Sequence, residues 1–551
     1  MIGETLSTEA ERVRRRAAGL AGGLSRAARR SATIAQERAV LRMLGVDGLD
    51  GAGHPLAASL VERYCGSDRG RLARGAILPF AVALLEYDLS PRDLALEVVS
   101  GAIDLGLEAE LLERPDRLAA AETHAAGLLA AALARFDANR TAARDMRDVL
   151  GQAEEPWLGV ALGADEIGPA AEEARMLLAE GADVVLIRVP ASWEFAEARR
   201  QAGLEMTGLF DFRQSGGSDG RGSAASKSAR QRGGRPRAPL PPRIERDLVP
   251  AGSQRGLAEL RRAVDEAAAE RGCYASLMTE TSAFAAPEQA VVAAFERIDL
   301  VKADPIREIV EDNVDPDRAL ADHAFAHRLH ARAGSRVVMG PGPLALGADV
   351  ASGIPASAAV RAGRALALQA LGVELALADG LPANRLLLGA VPDWVAQDRN
   401  HRSILVQAWL RHLVFPDHRL VVEEPLCEVQ PRGRDSALVA ALSGAPAALV
   451  IRDRDAGRVA DSAADLGAAA AAAAALRAAL GVAELHGDAA ELAVSILQAA
   501  DAALEQLTGE GWGSLLGPAG SGQEVERLGR AAVVERATGP TSGERLLEGL
   551  A

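Results

Sequence analysis

The sequence predicts an α/β protein built on a (β/α)8 barrel of eight parallel strands, with an N-terminal all-helical extension and C-terminal helices. Three observations carry this. Short, continuous apolar runs bounded by Gly or Pro read as strands buried on both faces, the pattern of a parallel sheet. Amphipathic helical runs alternate with them. Eight such units occupy about 300 residues, the length such barrels take; a doubly wound open sheet is the runner-up but carries fewer strands per domain.

The pattern is plainest at GADVVLIRVPASW (181–193), where a helix-ending Gly leads into an apolar run that stops at Arg188. The strands are expected at 156–162, 183–188, 274–279, 299–303, 336–339, 385–390, 420–423 and 447–452. Helical runs lie between them at 169–180, 256–271, 316–333, 356–379 and 403–413. Residues 1–150 are expected to be helical and to pack outside the barrel: 8–28, a helix opened by Thr33 with Gln36 at capping-box spacing and closed by Gly45, then 72–87, 91–99 opened by Ser90, and 118–150. The barrel would occupy 151–480, with LGAAAAAAAALRAAL (466–480) as its last outer helix. Residues 481–551 would hold a helix at 484–507 and a loose, Gly-rich tail from Gly509.

Composition sets the outer bounds. The chain has 551 residues, is 49% hydrophobic and carries a formal charge of -15; mean hydropathy is +0.04. This describes a protein with ample core, and its acidity argues against a general affinity for nucleic acid or anionic lipid. Cys65, Cys273 and Cys427 lack paired spacing, so neither a disulfide framework nor a zinc site is suggested. The charged N-terminus has no apolar signal region, and no run approaches the roughly 18 apolar residues of a membrane helix. A cytoplasmic setting without a membrane partner is the expectation. Residues 213–243 hold eight basic residues against the single acid Asp219. With little apolar surface to offset ordering entropy, the segment is expected to be a disordered loop, either a solvated insertion or an anion- or partner-binding lid.

In a barrel of this kind the chemistry gathers at the C-terminal ends of the strands. The polar residues there are Asp165, Glu166, Arg188, Ser192, Thr279, Glu280, Ser282, Lys302, Asp304, Asp393, Glu423, Glu424, Arg452 and Asp453. Such a ring suits a zwitterionic substrate, with cations for a carboxylate or phosphate and carboxylates for an amine. Lys302 reads either as a Schiff-base lysine or as half of an ion pair with a neighbouring acid. His323, His327 and His330 share one helical face. That geometry is acceptable for a metal, but the helix is expected on the outside of the barrel, far from the catalytic face. GPGPLALG from Gly340 suits a phosphate-binding turn or simply a tight βα connection.

The order of segments resembles a known family. TIAQERAVLRMLGVDGLD at Thr33, SGAIDL at Ser100, EGADVVLIR, YASLMTETSAFAAPE and LVKADP are similar, in order, to the α subunit of lysine 5,6-aminomutase, a TIM barrel; the ornithine 4,5-aminomutase barrel is related. The resemblance covers about residues 12–480, and the helix opened by Thr33 is its most specific part. It implies a barrel subunit that holds pyridoxal 5'-phosphate while adenosylcobalamin supplies a radical, so that an amino group moves to the adjacent carbon of D-lysine, β-lysine or a similar diamine. It also implies a smaller β subunit carrying the cobalamin-binding domain, in an α2β2 assembly, since D-x-H-x-x-G is absent here.

By the same resemblance Arg188 would meet the phosphate or the substrate carboxylate. Ser192, in RVPASW, stands one place from the hydroxyl of the family's R-T-x-G-Q-S. Ser253 in AGSQRG replaces a Thr of the cofactor site, Glu280 stands where the family has a Tyr that stacks on the pyridoxal ring, and Asp304 would bind the substrate's distal amine, with Ala303 in place of the family's amide. These departures leave a second reading, a degenerate or repurposed barrel acting as a scaffold or binding subunit. A third, an unrelated barrel lyase or aldolase using Lys302, ignores the matched N-terminal helices.

Overall fold

The computed structural model describes residues 2–51, 55–66, 68–164, 167–187, 254–281, 284–310, 312, 314–340, 357–389, 401–423, 447–452, 487–512, 530–539 and 542–548. The N-terminal part runs α1 (Ile2–Arg29), β1 (Ser31–Thr33), α2 (Ile34–Met43), α3 (Leu56–Cys65), α4 (Arg69–Arg74), α5 (Ile77–Tyr87), α6 (Pro91–Ser100), α7 (Leu105–Glu108) and α8 (Pro115–Leu150). Then come β2 (Trp157–Ala161), α9 (Ile167–Ala179), β3 (Val184–Ile187), α10 (Gln254–Arg271), β4 (Ser276–Glu280), α11 (Ala286–Phe295), β5 (Leu300–Lys302), α12 (Pro305–Val310), α13 (Pro316–Ala333), β6 (Arg336–Met339), α14 (Ala358–Ala378), β7 (Leu386–Gly389), α15 (His401–Val414), β8 (Arg419–Glu423) and β9 (Ala447–Arg452). The chain ends with α16 (Asp488–Glu510), β10 (Val533–Glu535) and α17 (Glu544–Glu548).

Strands β2 to β9 form a closed parallel barrel, each paired with the next and β9 with β2. All eight lie where the apolar runs predict them. Their side chains alternate between two apolar environments, because successive residues of a strand face opposite ways. Trp157, Ala161, Val184, Leu186, Met278, Leu300, Val338, Leu387, Val421, Leu449 and Ile451 fill the interior. Leu158, Val185, Leu277, Val301, Val337, Leu388 and Leu420 face the surrounding helices. Gly159 is in step with the inward row, and a Cβ there would stand 3.0 Å from Leu449 Cδ1, so the absent side chain makes room for a side chain of the adjacent strand β9. Trp157 closes the N-terminal end, with the Arg336 guanidinium 4.7 Å from its ring centroid.

The N-terminal helices are tied closely to this barrel. Helix α1 packs on α13, α14, α15 and α16 and shares their apolar cluster. Helix α2 starts as expected, with the Thr33 hydroxyl accepting from Gln36 N at 3.1 Å, and every one of its residues is buried. Its polar side chains make the joint to the barrel's outer helices: Arg38 and Arg42 reach Glu288 of α11 at 3.1 and 3.3 Å, Gln36 donates to Ala321 O at 2.7 Å, and Thr33 donates to Asp322. Buried charges persist only when paired in this way.

Three expectations need correction. The helix expected over 72–87 is two, α4 and α5, separated by Gly75 at φ 79° and with Asp68 capping α4. The N-terminal region is not wholly helical, since β1 pairs antiparallel with β10. By the same pairing the tail is not loose over its described residues: Arg536 donates to Ser31 O and lies 3.5 Å from buried Glu37. The basic insertion at 213–243 and the Ala-rich run at 466–480 lie outside the described residues. No helix among the described residues is long and apolar enough to cross a membrane.

Candidate active site at the barrel mouth

Alternation along β4 and β5 decides where two candidates stand. Glu280 is in step with inward Met278 and Lys302 with inward Leu300, so both continue the interior rows at the C-terminal mouth. The strands pair in a register that sets these two residues side by side, with Lys302 Nζ 3.6 Å from Glu280 Oε1. Lys302 is therefore half of an ion pair, one of the two readings open from the sequence. Both side chains keep some access to solvent, 14% and 19%, as a site that admits a ligand requires.

Asp304 follows β5 by two residues and is deeply buried. Its Oδ1 accepts from Ile306 N at 2.9 Å and Arg307 N at 3.3 Å, the capping bonds of α12. Its Oδ2 lies against the end of the next strand, where a Cβ on Gly340 would come within 2.5 Å of it. Only a residue without a side chain leaves that carboxylate its place. Burial raises the Asp304 pKa above the usual carboxylate value, against the two backbone N–H bonds and the charges of His323 and Arg307. Gln369, buried on α14, ties this rim together: its amide nitrogen donates to Gly340 O at 2.8 Å and Gly389 O at 2.9 Å, joining the ends of β6 and β7.

Behind Asp304 lies the histidine face of α13. His323 Nε2 and Glu308 Oε1 are 3.0 Å apart; burial opposes the imidazolium, but the Glu308 charge and hydrogen bond, with Asp304 and Asp322, raise its pKa. His327 Nδ1 meets Asp379 Oδ2 at 2.9 Å, and Ser25 of α1 donates to the other oxygen of Asp379 at 2.6 Å. Among the described residues His330 finds no hydrogen-bond partner on either ring nitrogen, and burial, then the charges of His327 and His323, push it down to about 3. His323 and His327 thus serve different carboxylates and His330 neither, and no group of metal-ligating side chains is found among the described residues. The expectation that this face lies far from the catalytic side fails for His323, which belongs to the electrostatic surroundings of Asp304.

Of the five residues singled out from the resemblance, the structure brings Glu280 and Asp304 to neighbouring strand ends on one mouth. Arg188, Ser192 and Ser253 lie outside the described residues, as do Asp165, Glu166, Ser282, Asp393, Glu424, Asp453 and the turn after Gly340. Sequence reasoning passed over Gln369 and Glu308. For Gln369 a signal exists, since it is the lone uncharged polar residue in AAVRAGRALALQALGVELALA.

Two curated relatives are each called lysine 5,6-aminomutase alpha subunit. The one from Fusobacterium nucleatum is 25% identical over 390 residues, 70% of this chain and 64% of the relative. The one from Acetoanaerobium sticklandii is 24% identical over 410 residues, 74% of this chain and 68% of the relative. The chain thus spans just under two thirds of the Fusobacterium protein it matches. Among solved structures, a Yersinia pestis dihydropteroate synthase matches with a TM-score of 0.32 and 14% identity, covering 59% of this chain and 94% of that one, a likeness too slight to bear on fold or ligand. The family described as D-lysine 5,6-aminomutase TIM-barrel domain of alpha subunit matches residues 6–192 and 252–426, most of the chain on both sides of the basic insertion. With its eight parallel strands closed as that description requires, the chain belongs to the family of the lysine 5,6-aminomutase alpha-subunit barrel.

Proposed function

We propose that the chain is the barrel subunit of an aminomutase that uses pyridoxal 5'-phosphate and adenosylcobalamin to move an amino group to the adjacent carbon of D-lysine, β-lysine or a similar diamine. The observation that carries this reading is the family match over residues 6–192 and 252–426. In this reading a smaller subunit with a cobalamin-binding domain completes the enzyme, in an α2β2 assembly, and the relatives' name, alpha subunit, supports a partner.

The donor set at the mouth suits pyridoxal phosphate. A pyridinium nitrogen takes a carboxylate partner, and Glu280 offers one at the rim. Arg188, Ser192 and Ser253 are the residues proposed for the phosphate and its surroundings, a guanidinium giving the charge-assisted bonds a phosphate favours. When bound, pyridoxal phosphate supplies a delocalising ring, and adenosylcobalamin a carbon-centred radical. The residues of the chain bind, orient and shield. Lys302 holds Glu280 in place through its ion pair. Asp304 is fixed by the amides of Ile306 and Arg307 and directs Oδ2 to the ammonium at the far end of the diamine. Gln369 locks the rim at Gly340 and Gly389, and the apolar interior beneath excludes water.

The test is reconstitution of the full chain with a small cobalamin-binding subunit. Pyridoxal phosphate should give a saturable visible absorbance that shifts on adding D-lysine or β-lysine, with the amino-shifted product seen by NMR. Arg188→Ala should weaken the cofactor signal by about one to two powers of ten. Glu280 in a salt bridge and Asp304 capping a helix also favour a second reading, a barrel that keeps the fold and the partner surface without the chemistry. No cofactor absorbance with the partner present, and no effect of Arg188→Ala, would decide for it.

A further inference from the structure

The N-terminal ends of the barrel strands carry a second polar site, on the face opposite Glu280 and Asp304. Asp299 immediately precedes β5, Ser335 precedes β6 and Arg385 precedes β7. With the C-terminal part of α8 and the end of α11 they enclose a cavity of about 270 Å³. Five arginines line it, Arg140, Arg144, Arg147, Arg297 and Arg385, against the single carboxylate of Asp299.

That carboxylate is already engaged. It accepts from Arg147 and Arg261, from the Tyr274 hydroxyl at 2.6 Å and from Leu277 N at 3.0 Å. Arg297 is held by Asp265, while Arg144 reaches only exposed Asp145 at 3.7 Å. Among the described residues Arg140 and Arg385 find backbone carbonyls alone: Arg140 donates to Arg332 O at 3.2 Å and Arg385 to Gly334 O. The two close on the same turn, since a Cβ on Gly334 would lie 3.0 Å from Arg140 Cδ and 3.6 Å from Arg385 Nη2. The Arg385 pKa is depressed, by burial first and then by the charges of Arg147 and Arg140. Like charges gathered in a half-buried cavity repel one another until an anion enters.

We propose that this cavity binds phosphate, either free or as the phosphate group of a small organic ester, at a site separate from the barrel mouth. Guanidiniums arriving from α8 on one side and from the start of β7 on the other can grip a tetrahedral oxyanion from two directions. Their planar forks match its oxygens. A phosphate near neutral pH carries about -1.5 to -2, which answers the two guanidiniums without a carboxylate partner, Arg140 and Arg385, better than the single charge of a carboxylate. The cavity's size suits a phosphate with a few attached atoms, below the common range for larger ligands.

The experiment is isothermal titration of the full chain with inorganic phosphate and, separately, with glycerol 3-phosphate, at ionic strength held constant with chloride. Saturable one-site binding is expected, weakened by about tenfold or more in Arg140→Gln and in Arg385→Gln. The unliganded melting temperature of either variant should be unchanged or higher, since repulsion is relieved. Arg140 is exposed, so its variant remains informative if Arg385→Gln fails to fold. Arg188→Ala should leave this binding intact, which separates it from phosphate captured at the mouth and makes the result independent of the aminomutase reading. Tighter binding of the ester assigns an organic phosphate; equal or weaker binding assigns free phosphate. No saturable binding of either probe, binding unaltered in both arginine variants, or binding lost in Arg188→Ala overturns the proposal.

Discussion

Asp304 has two tasks, one for each carboxylate oxygen, and replacing it with Asn or Ala separates them. Oδ1 caps α12, so Asp304→Ala removes two bonds to backbone N–H and should cost about 1 kcal/mol, in the range of about 0.5–2 for lost caps. Asp304→Asn keeps an oxygen acceptor for those amides and removes a buried charge. Its stability should therefore match or exceed wild type at neutral pH. The pH dependence follows from the raised pKa. An acid that holds its proton more tightly in the folded state contributes stability that is complete below its unfolded pKa, about 3.9, and is lost as pH rises through the higher folded value. Asn cannot titrate, so the advantage of Asp304→Asn over wild type should open across that window and close again in acid. Urea denaturation at a series of pH values measures it. Both variants lose the charge-assisted bond to an ammonium, worth about 1.5–3 kcal/mol, and should weaken the diamine response by roughly ten- to a hundredfold. The reasoning fails if Asp304→Asn is as unstable as Asp304→Ala at neutral pH, or if the diamine response of the reconstituted enzyme survives in both.

Why the mouth was only partly legible in the sequence follows from how its contacts are made. Glu280, Lys302 and Asp304 could be found because a parallel strand buried on both faces leaves an unmistakable apolar run, and polar residues just past it fall at the catalytic end. What holds them depends on neighbours in space. The contact of Asp304 with Gly340 exists because β5 and β6 are adjacent, and the clamp of Gln369 because α14 covers both β6 and β7. Spacing placed His323, His327 and His330 on one face, but the pairing of His323 with Glu308 and of His327 with Asp379 comes from α12 and from the end of α14. Local chemistry was readable at Thr33, whose cap lies within one turn, and unreadable in the bond from its hydroxyl to Asp322. The β1 and β10 pair was missed for the same reason: three residues in each strand, some 500 positions apart, carry no periodicity to detect.

Gly340→Ala should force the Asp304 carboxylate from its place, costing about 1–3 kcal/mol in urea and weakening the diamine response, and an unperturbed variant would show that the rim has slack. Asp299→Ala takes the acceptor from the buried Tyr274 hydroxyl and one of two carboxylates from Arg261, which keeps Asp265 at 2.6 Å, and should cost about 1–3 kcal/mol by the same measurement. Deleting residues 213–243 should leave the melting temperature nearly unchanged, because that composition has little to bury; a loss of several degrees would mean that it packs. Removing residues 530–551 should do the opposite, because it strips β1 of its partner and takes Arg536 away from Glu37. Burial already raises the Glu37 pKa, held in check by Arg536 and by the Ala76 amide, which donates to Glu37 at 2.7 Å. Without Arg536 the raised pKa climbs further, so the truncated chain should lose about 3–5 kcal/mol at neutral pH and recover part of it in acid, where Glu37 takes up its proton. Glu37→Gln in the truncated chain should restore much of the loss at neutral pH by removing the stranded charge. If the truncated chain unfolds at the wild-type urea midpoint, or if Glu37→Gln restores nothing, the tail does not hold the N-terminal helices through this contact.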